Sequence, residues 1–340
     1  MPARNLTARF HAARDVRLAE EPMPVPAEGE SLVRITAVGL CGSDLHWYTG
    51  AGIGDARLAR PLVIGHEFAG VVADGPDLGR RVAVDPAIPC GRCDVCHGGW
   101  RNLCPDVRFA GHGAVDGALR EYVAWPTALL HPLPDRLSDA DGAMLEPLGV
   151  ALHALDLGHL AVGATVAVVG CGPIGLLLVQ LARLAGATTV IAVDPLAHRV
   201  AAARGYGAAH GLLPAEATDA RWADLAGRGA DVVFEVAGHS AAVETALHAA
   251  RPGGRVVLVG IPDDDRTAFT ASVARRKGLT LALSRRMNEV YPRAIRLVER
   301  GRVDVSSLVT DRYPLDRVAD AFAAAAARSG LKILVTAGGA

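Results

Sequence analysis

The residues with the clearest capacity for chemistry lie in a short glycine-rich stretch that begins CGSDLH and ends GHE. It contains a thiol at Cys41, an imidazole at His66 and a carboxylate at Glu67, all of which are zinc ligands in proteins. Ser43 and His46 follow Cys41 closely and can accept and pass on a proton. The stretch therefore predicts a catalytic zinc site with a proton relay. The alternative is a buried cysteine among unrelated polar residues.

A second cluster consists of four cysteines with the spacing C-x2-C-x2-C-x7-C, in a lobe spanning residues 89–104. Its members are Cys90, Cys93, Cys96 and Cys104. Four thiolates this close can surround one tetrahedral zinc ion and leave no position open for substrate, so we expect a structural zinc. An iron–sulfur cluster is the alternative, but the bacterial ferredoxin motif has three residues between its third cysteine and its final Cys-Pro, where this chain has seven. His97 is expected to be a surface residue.

Beyond position 150 the sequence alternates buried strands with helices, which predicts a parallel doubly wound sheet. The segment GCGPIG follows a strand and opens a helix, as G-x-G-x-x-G turns do, and Asp194 ends the next strand. Such glycines let the backbone approach a pyrophosphate at the helix N-terminus. Because Asp194 can bind a ribose 2′-OH and would repel a 2′-phosphate, we predict NAD rather than NADP. The predicted cofactor-binding residues are Gly170, Gly172, Pro173, Ile174, Gly175, Asp194, Arg199, Val259, Gly260 and Ile261.

The remaining elements are read from turn residues and periodicity. Residues 1–148 show short alternating strands, one of them at 32–40, and indicate a β-rich, barrel-like domain. A helix is expected at 239–254, followed by strands at 255–261 and 278–283. The tail contains two helical patterns and a final strand, and we expect it to return to the first domain.

Composition excludes several classes of function. The chain has 340 residues, enough for two domains, and a net charge of −1. That charge offers no basic field for nucleic acid or an anionic membrane surface. No apolar run approaches the length of a membrane-spanning helix, and the N-terminal segment lacks the apolar core of a secretory signal. We therefore expect a cytoplasmic protein whose six cysteines are thiols rather than disulfides.

Over essentially its whole length the chain resembles the zinc-containing medium-chain dehydrogenases. The motifs that carry the resemblance are CGSD, GHE, the four-cysteine lobe, the EPL triplet that begins at Glu146 and the GCGPIG turn. The polyol branch, which contains sorbitol (L-iditol) and xylitol dehydrogenases, is the most similar, through SDLHWYTGAGIGD, MLEPLGVALHA and Asp194 followed by Arg199. The resemblance implies an α/β protein with a GroES-like catalytic domain (1–148), a Rossmann NAD-binding domain (149–286) and a return segment (287–340).

The resemblance also implies roles for individual residues. Cys41, His66 and a glutamate hold the catalytic zinc, and either Glu67 or Glu146 ligates directly while the other holds a zinc-bound water. Expected substrate-pocket residues are Trp47, Phe109 and Arg285. Trp47 stands where the branch often has tyrosine, and the residue after Arg285 is arginine where an aromatic is expected.

The implied reaction is reversible oxidation of a secondary alcohol of a polyol to a ketose, with NAD and two zinc ions per subunit. Zinc lowers the pKa of the substrate hydroxyl, and Ser43 passes its proton through the cofactor ribose towards His46. The alternatives are a related dehydrogenase for 2,3-butanediol, threonine or a cyclitol, and a catalytically idle NAD-binding protein. A homotetramer is implied, with a dimer as the alternative.

Overall fold

The computed structural model describes residues 4–262 and 265–337. The chain divides into two compact units, the first formed by Met1–Pro147 with Tyr291–Ala340 and the second by Leu148–Val290. Among the described residues, none of the helices combines the length and the apolar character needed to cross a membrane.

The first unit begins with strands and two short helices. In chain order these elements are β1 (Arg4–Ala12), β2 (Asp15–Pro22), β3 (Glu30–Gly39), α1 (Gly42–Gly50), β4 (Gly52–Ile53), β5 (Ala56–Arg57), β6 (Glu67–Asp74), β7 (Arg81–Val84), β8 (Ala87–Ile88), α2 (Asp94–His97), β9 (Arg108–Phe109), β10 (Tyr122–Pro126), β11 (Leu130–Pro132) and α3 (Asp139–Gly158). Helix α3 runs on into the second unit.

The second unit alternates strands and helices. Its elements are β12 (Thr165–Val169), α4 (Pro173–Leu184), β13 (Thr189–Val193), α5 (Ala197–Gly205), β14 (His210–Leu212), α6 (Asp219–Ala226), β15 (Ala230–Glu235), α7 (Ser240–Ala249), β16 (Ala250–Leu258), α8 (Ala271–Lys277) and β17 (Thr280–Leu283). The chain then returns to the first unit with α9 (Tyr291–Glu299), β18 (Val309–Pro314), α10 (Val318–Ala327) and β19 (Lys332–Thr336).

The main sheet of the first unit has the strand order β11-β7-β6-β3-β19-β18, and β10 also pairs with β3. Strand β3 is central: Gly39 at its end pairs with Glu67 of β6 on one side and with Leu334 of β19 on the other. The last strand of the chain is therefore placed beside the first turn of the predicted zinc stretch.

Helix α10 packs against the start of the unit and supports α1. Phe322 of α10 stacks on Tyr48 of α1 with ring centroids 5.0 Å apart, and meets Phe10 of β1 edge-on at 5.0 Å. All three rings are buried. Because aromatic pairs of this geometry add to simple area burial, they fix the helix that carries Ser43 and His46.

The second unit contains a six-stranded parallel sheet with the order β14-β13-β12-β15-β16-β17. Its central strands are apolar on both faces, as expected where helices cover both sides. The predicted α/β class with a doubly wound parallel sheet is confirmed. In such sheets ligands bind at the carboxyl ends of the strands where the order reverses, which here is between β12 and β15.

One predicted element differs. The helix expected at 239–254 ends at Ala249, and residues 250–254 begin β16 instead. Pro252 has no N–H to donate within a helix, and Gly253 has φ 71°, a left-handed conformation that glycine tolerates. The pairing of β15 with β16 carries an irregularity at this point.

Candidate metal centres and dinucleotide site

The first candidate centre lies where β3 ends and β6 begins. Cys41 precedes α1, and Glu67 opens β6 directly after His66. Each of these side chains offers one ligand atom, and the three atoms lie within 4.8 Å of one another. His66 and Glu67 are buried and Cys41 is partly buried. A thiolate, an imidazole and a carboxylate gathered in this way fit a zinc ion.

Asp44 contacts the backbone or side chains of the residues that form this centre. Its Oδ2 accepts a hydrogen bond from the backbone N–H of Cys41 at 2.9 Å, and its Oδ1 accepts one from that of Gly65 at 3.3 Å. Oδ1 also lies 3.4 Å from Nδ1 of His66. Burial alone lowers the pKa of His66, but Asp44 and Cys41 outweigh it and hold that pKa well above its ordinary value. With Nδ1 facing Asp44, Nε2 is the nitrogen left for a metal.

Two further charged groups surround the centre. Lys332 of β19 forms a buried ion pair with Oε2 of Glu67. Glu146 on α3 is 4% exposed, and burial raises its pKa to about 7, with a smaller contribution from the neighbouring charge of Glu67. Among the residues that the structure describes, Glu146 does not join the group of ligand atoms within 4.8 Å. The arrangement therefore presents Glu67 as a direct donor and Glu146 as a nearby carboxyl.

The four-cysteine lobe forms the second centre, with its sulfur atoms mutually within 4.8 Å. Sγ of Cys90 lies 4.0 Å from that of Cys96, and Sγ of Cys93 lies 4.0 Å from that of Cys104. Tetrahedral zinc with Zn–S bonds of about 2.3 Å requires roughly 3.8 Å between sulfurs, so the lobe fits zinc closely. Backbone N–H groups of Arg92 and Cys93 lower the pKa of Cys90 to about 7. His97 is exposed, as expected.

The predicted dinucleotide turn joins β12 to α4. Gly170 has φ 101°, and a Cβ at Gly175 would collide with the carbonyl oxygen of Gly170. Both positions therefore require glycine. Gly172 is the N-cap of α4 and provides no capping side chain, so the first backbone N–H groups of the helix are available to a phosphate. This geometry fits the pyrophosphate of a dinucleotide.

Asp194 is hydrogen-bonded to the backbone of that turn, and its side chain is buried, with 3% of the residue exposed. Its Oδ2 accepts from the backbone N–H of Cys171 at 2.7 Å, and its Oδ1 accepts from that of Leu196 at 2.8 Å. Each carboxylate oxygen has a second lone pair for a ribose hydroxyl. Arg199 of α5 lies on the same side, with Nη1 3.8 Å from the position a Cβ of Gly172 would take.

The neighbouring strand ends complete this edge of the sheet. Glu235 ends β15, and its Oε1 accepts hydrogen bonds from the backbone N–H groups of Ala237 and Gly238 at 2.8 and 2.7 Å. Its carbonyl oxygen accepts from the N–H groups of Val259 and Gly260. Ile261 follows and is 48% exposed. The predicted residues at 259–261 thus lie at the carboxyl end of β16, next to the end of β15.

Comparison with known proteins identifies the family. A family model described as "Alcohol dehydrogenase GroES-like domain" matches residues 27–135, and one described as "Zinc-binding dehydrogenase" matches residues 173–300. Sorbitol dehydrogenase of Bacillus subtilis (strain 168) is 36% identical over 94% of this chain and 93% of its own length. The chain belongs to the zinc-containing medium-chain dehydrogenases.

Two further relatives place this medium-chain dehydrogenase more closely. Probable D-xylulose reductase A of Arthroderma otae is 36% identical over 98% of this chain and 97% of its own. A putative zinc-binding dehydrogenase of Sinorhizobium meliloti 1021, solved bound to NADP, matches with a TM-score of 0.88 and 33% identity over 98% of this chain and 100% of that one. The predicted family, polyol branch and two-domain fold class, GroES-like and Rossmann, are confirmed.

The predicted substrate residues fall in both units. Phe109 lies beside the first metal centre, with its ring centroid 5.2 Å from that of His66. Trp47 is buried on α1 and meets the ring of His112 at 5.8 Å. Arg285 follows β17 in the second unit and is exposed. Ser43 and His46 lie on α1, directly after Cys41, and are partly buried.

Sequence reasoning missed the roles of two residues at the first centre, namely Asp44 and Lys332. Asp44 lies within the CGSD motif, where its spacing to Cys41 is that of a helix-capping side chain. Lys332 could have been noticed as a lysine inside the apolar strand pattern LKILVTA.

Proposed function

We propose that this medium-chain dehydrogenase uses NAD to interconvert a polyol, such as sorbitol or xylitol, and the corresponding ketose. The main support for the proposal is that ligand atoms of Cys41, His66 and Glu67 lie within 4.8 Å of one another. These three donors can hold a zinc ion, and a zinc ion can activate an alcohol. Relatives named sorbitol dehydrogenase and D-xylulose reductase support the substrate class.

In the proposed reaction Cys41, His66 and Glu67 hold the zinc, with Glu146 beside them. Zinc in this position supplies a Lewis acid that lowers the pKa of a substrate hydroxyl towards neutrality. Asp44 keeps the His66 imidazole oriented. Ser43 takes the hydroxyl proton and His46 delivers it to solvent, both from the helix that Cys41 precedes.

The Rossmann unit is proposed to bind NAD. The Gly170–Gly175 turn and the free N-terminus of α4 take the pyrophosphate, and Asp194 takes the adenosine ribose. A buried carboxylate at this position disfavours a 2′-phosphate. The Sinorhizobium meliloti relative was solved with NADP. The choice between NAD and NADP is therefore not inferred from that relative, and the assay below measures it on this chain.

The four-cysteine lobe is proposed to hold a second zinc with a structural role. Its four thiolates leave no ligand position for substrate. Trp47 and Phe109 are proposed to line the polyol site, and Arg285 to bind a substrate hydroxyl. We further propose a homotetramer, with a dimer as the alternative, in the cytoplasm.

A steady-state screen tests the function. Zinc-loaded enzyme is assayed with sorbitol, xylitol, iditol, galactitol, threitol, inositol, threonine and 2,3-butanediol, with NAD and NADP in parallel. We expect the highest kcat/KM for a sugar alcohol with NAD, and loss of turnover after a strong chelator. A higher value for butanediol, threonine or inositol would replace the polyol with that substrate class. Full turnover in protein verified to lack zinc would overturn the mechanism.

A further inference from the structure

Lysine is rare in this chain, and one of its lysines is buried in the metal centre. Of 35 basic residues, 33 are arginine, and the two lysines are Lys277 and Lys332. Lys277 caps α7, donating to the backbone carbonyls of Leu247, His248 and Ala250 at 2.7 to 2.9 Å. Lys332, by contrast, faces a carboxylate.

The pair of Lys332 with Glu67 is sealed from solvent. The side chains of the two residues are 2% and 1% exposed, and Nζ of Lys332 contacts Oε2 of Glu67. Gly39 lies between them in the sheet and makes the contact possible. A Cβ at Gly39 would collide with Oε2 of Glu67 and lie 3.0 Å from Cε of Lys332.

This pairing changes what Glu67 can offer a metal. A buried carboxylate requires a cation, and Lys332 supplies one whether or not metal is bound. A metal at the centre must therefore share Glu67 with the ammonium, through the oxygen that Lys332 does not hold. Two cations on one carboxylate repel each other, so the bond from Glu67 to the metal is weakened.

We propose that Lys332 is a positioning residue that competes with the catalytic metal for Glu67 and so keeps the bond from this ligand to the metal weak. The inference rests on the proposed zinc dehydrogenase function. Without Lys332, the charge of Glu67 is no longer shared with the ammonium group, and Glu67 binds the metal more tightly.

A double-mutant cycle that measures metal affinity tests the competition between Lys332 and the metal for Glu67, and it needs no substrate. Co²⁺ is titrated into metal-free protein, and the contribution of the four-cysteine lobe is subtracted with the Cys41→Ser variant. Lys332→Met is expected to tighten Co²⁺ at the catalytic centre by about tenfold, the scale of effects transmitted through a ligand's partner. In the Glu67→Gln background the same substitution should change affinity by less than about threefold. Lys332→Arg should restore affinity towards that of the wild type.

The double variant Lys332→Met with Glu67→Gln also guards against misfolding, because it removes both buried charges together. Lys277→Met is the matched control: it removes the other lysine and should leave metal affinity unchanged. An equal effect of Lys332→Met with glutamate or glutamine at position 67 would overturn the proposal, since Lys332 would then act on the metal directly. No effect in either background would also overturn it.

The two lysines permit a direct observation. In protein labelled with ¹⁵N at lysine Nζ, the Lys332 signal, assigned by its loss in Lys332→Arg, should shift when metal binds, and the Lys277 signal should not. A Lys332 signal whose chemical shift does not change when metal binds at the catalytic centre would overturn the proposal. Because neither measurement uses substrate, a failed polyol screen with intact coupling would reject the proposed substrate and not the role of Lys332.

Discussion

Oδ1 of Asp44 lies 3.4 Å from Nδ1 of His66, and the opposite oxygen of the same carboxylate holds the backbone N–H of Cys41. One buried side chain thus connects two candidate ligands that are 25 positions apart in the sequence. The Asp44 carboxylate therefore both orients the His66 imidazole and fixes the backbone at the start of α1. The arrangement of the centre therefore depends on a residue that does not itself bind the metal.

Replacing Asp44 with asparagine should weaken catalytic metal binding by about 10- to 100-fold, the range seen when a ligand's hydrogen-bond partner is changed. Asparagine keeps an acceptor oxygen but loses the negative charge that favours a metal-bound imidazole. Co²⁺ titration measures the change. Asp15→Asn, at a partly exposed position paired with Arg17, is the control and should leave metal affinity unchanged.

The two metal centres should be separable by single cysteine substitutions. Wild-type protein should contain two zinc ions per chain, and Cys41→Ser and Cys93→Ser should each contain one. Cys41→Ser should abolish turnover and keep the melting temperature within a few degrees. Cys93→Ser should lower the melting temperature and expression markedly, because a structural zinc site contributes folding free energy. Elemental analysis and thermal unfolding check both results. Two zinc ions retained in Cys93→Ser would contradict the proposed lobe.

The sequence predicted those parts of the site that are encoded locally. The spacing of the four cysteines, the GCGPIG turn and the adjacency of His66 and Glu67 need only a few residues of chain to bring donors together. The role of Lys332 could not be predicted, because it depends on β19 pairing with β3 at Gly39, opposite Glu67. Such long-range register leaves no periodic signal near either residue. The end of α7 was missed for the opposite reason: the helix was expected to run through Pro252 to residue 254, although Pro252 and Gly253 are local signals for an earlier end, and it ends at Ala249.

Two glycines of the dinucleotide turn should respond differently to alanine. A Cβ at Gly175 would collide with the carbonyl of Gly170, so Gly175→Ala should destabilise the protein by about 2 kcal/mol or more, as overpacking does. A Cβ at Gly172 meets only Nη1 of Arg199, at 3.8 Å. Gly172→Ala should therefore fold normally and raise the Kd for NAD. Urea unfolding and NAD titration distinguish the two; equal stability of both variants would contradict the packing argument.

Substitution of Asp194 should change cofactor preference. Asp194→Asn removes the negative charge and retains an acceptor for the N–H of Cys171, so the glycine turn should survive. The ratio of kcat/KM for NAD over NADP should fall by about tenfold, because repulsion of the 2′-phosphate is lost and the ribose hydrogen bond is weakened. Parallel assays with both cofactors measure the ratio. An unchanged ratio together with unchanged NAD affinity would count against the ribose role.

The ion network of Arg9 predicts how stability depends on pH. Arg9 donates from Nη1 and Nη2 to the two oxygens of Asp116, each at 3.0 Å, and from Nε and Nη2 to Glu21 at 2.8 Å. Burial alone raises the pKa of Asp116, but hydrogen bonds from Arg9 and from the backbone N–H of Val63 outweigh it and hold that pKa below its ordinary value. A carboxyl with a depressed folded pKa stabilises the protein above its unfolded pKa, which is about 3.9, and loses that contribution as pH falls through the folded pKa.

Asp116→Asn should accordingly lower the free energy of unfolding by about 1–3 kcal/mol near pH 7, the range for a charge-assisted hydrogen bond. The difference between wild type and variant should persist to about pH 5 and shrink below about pH 4, where the unfolded carboxyl is protonated. Urea unfolding of both proteins at matched pH measures it, and the comparison removes acid effects that both share. Asp77→Asn, which breaks an exposed pair with Arg80, should cost less than about 0.5 kcal/mol throughout. A difference for Asp116→Asn that grows as the pH falls below about 4 would have the wrong sign for a depressed pKa and would contradict the network's proposed role.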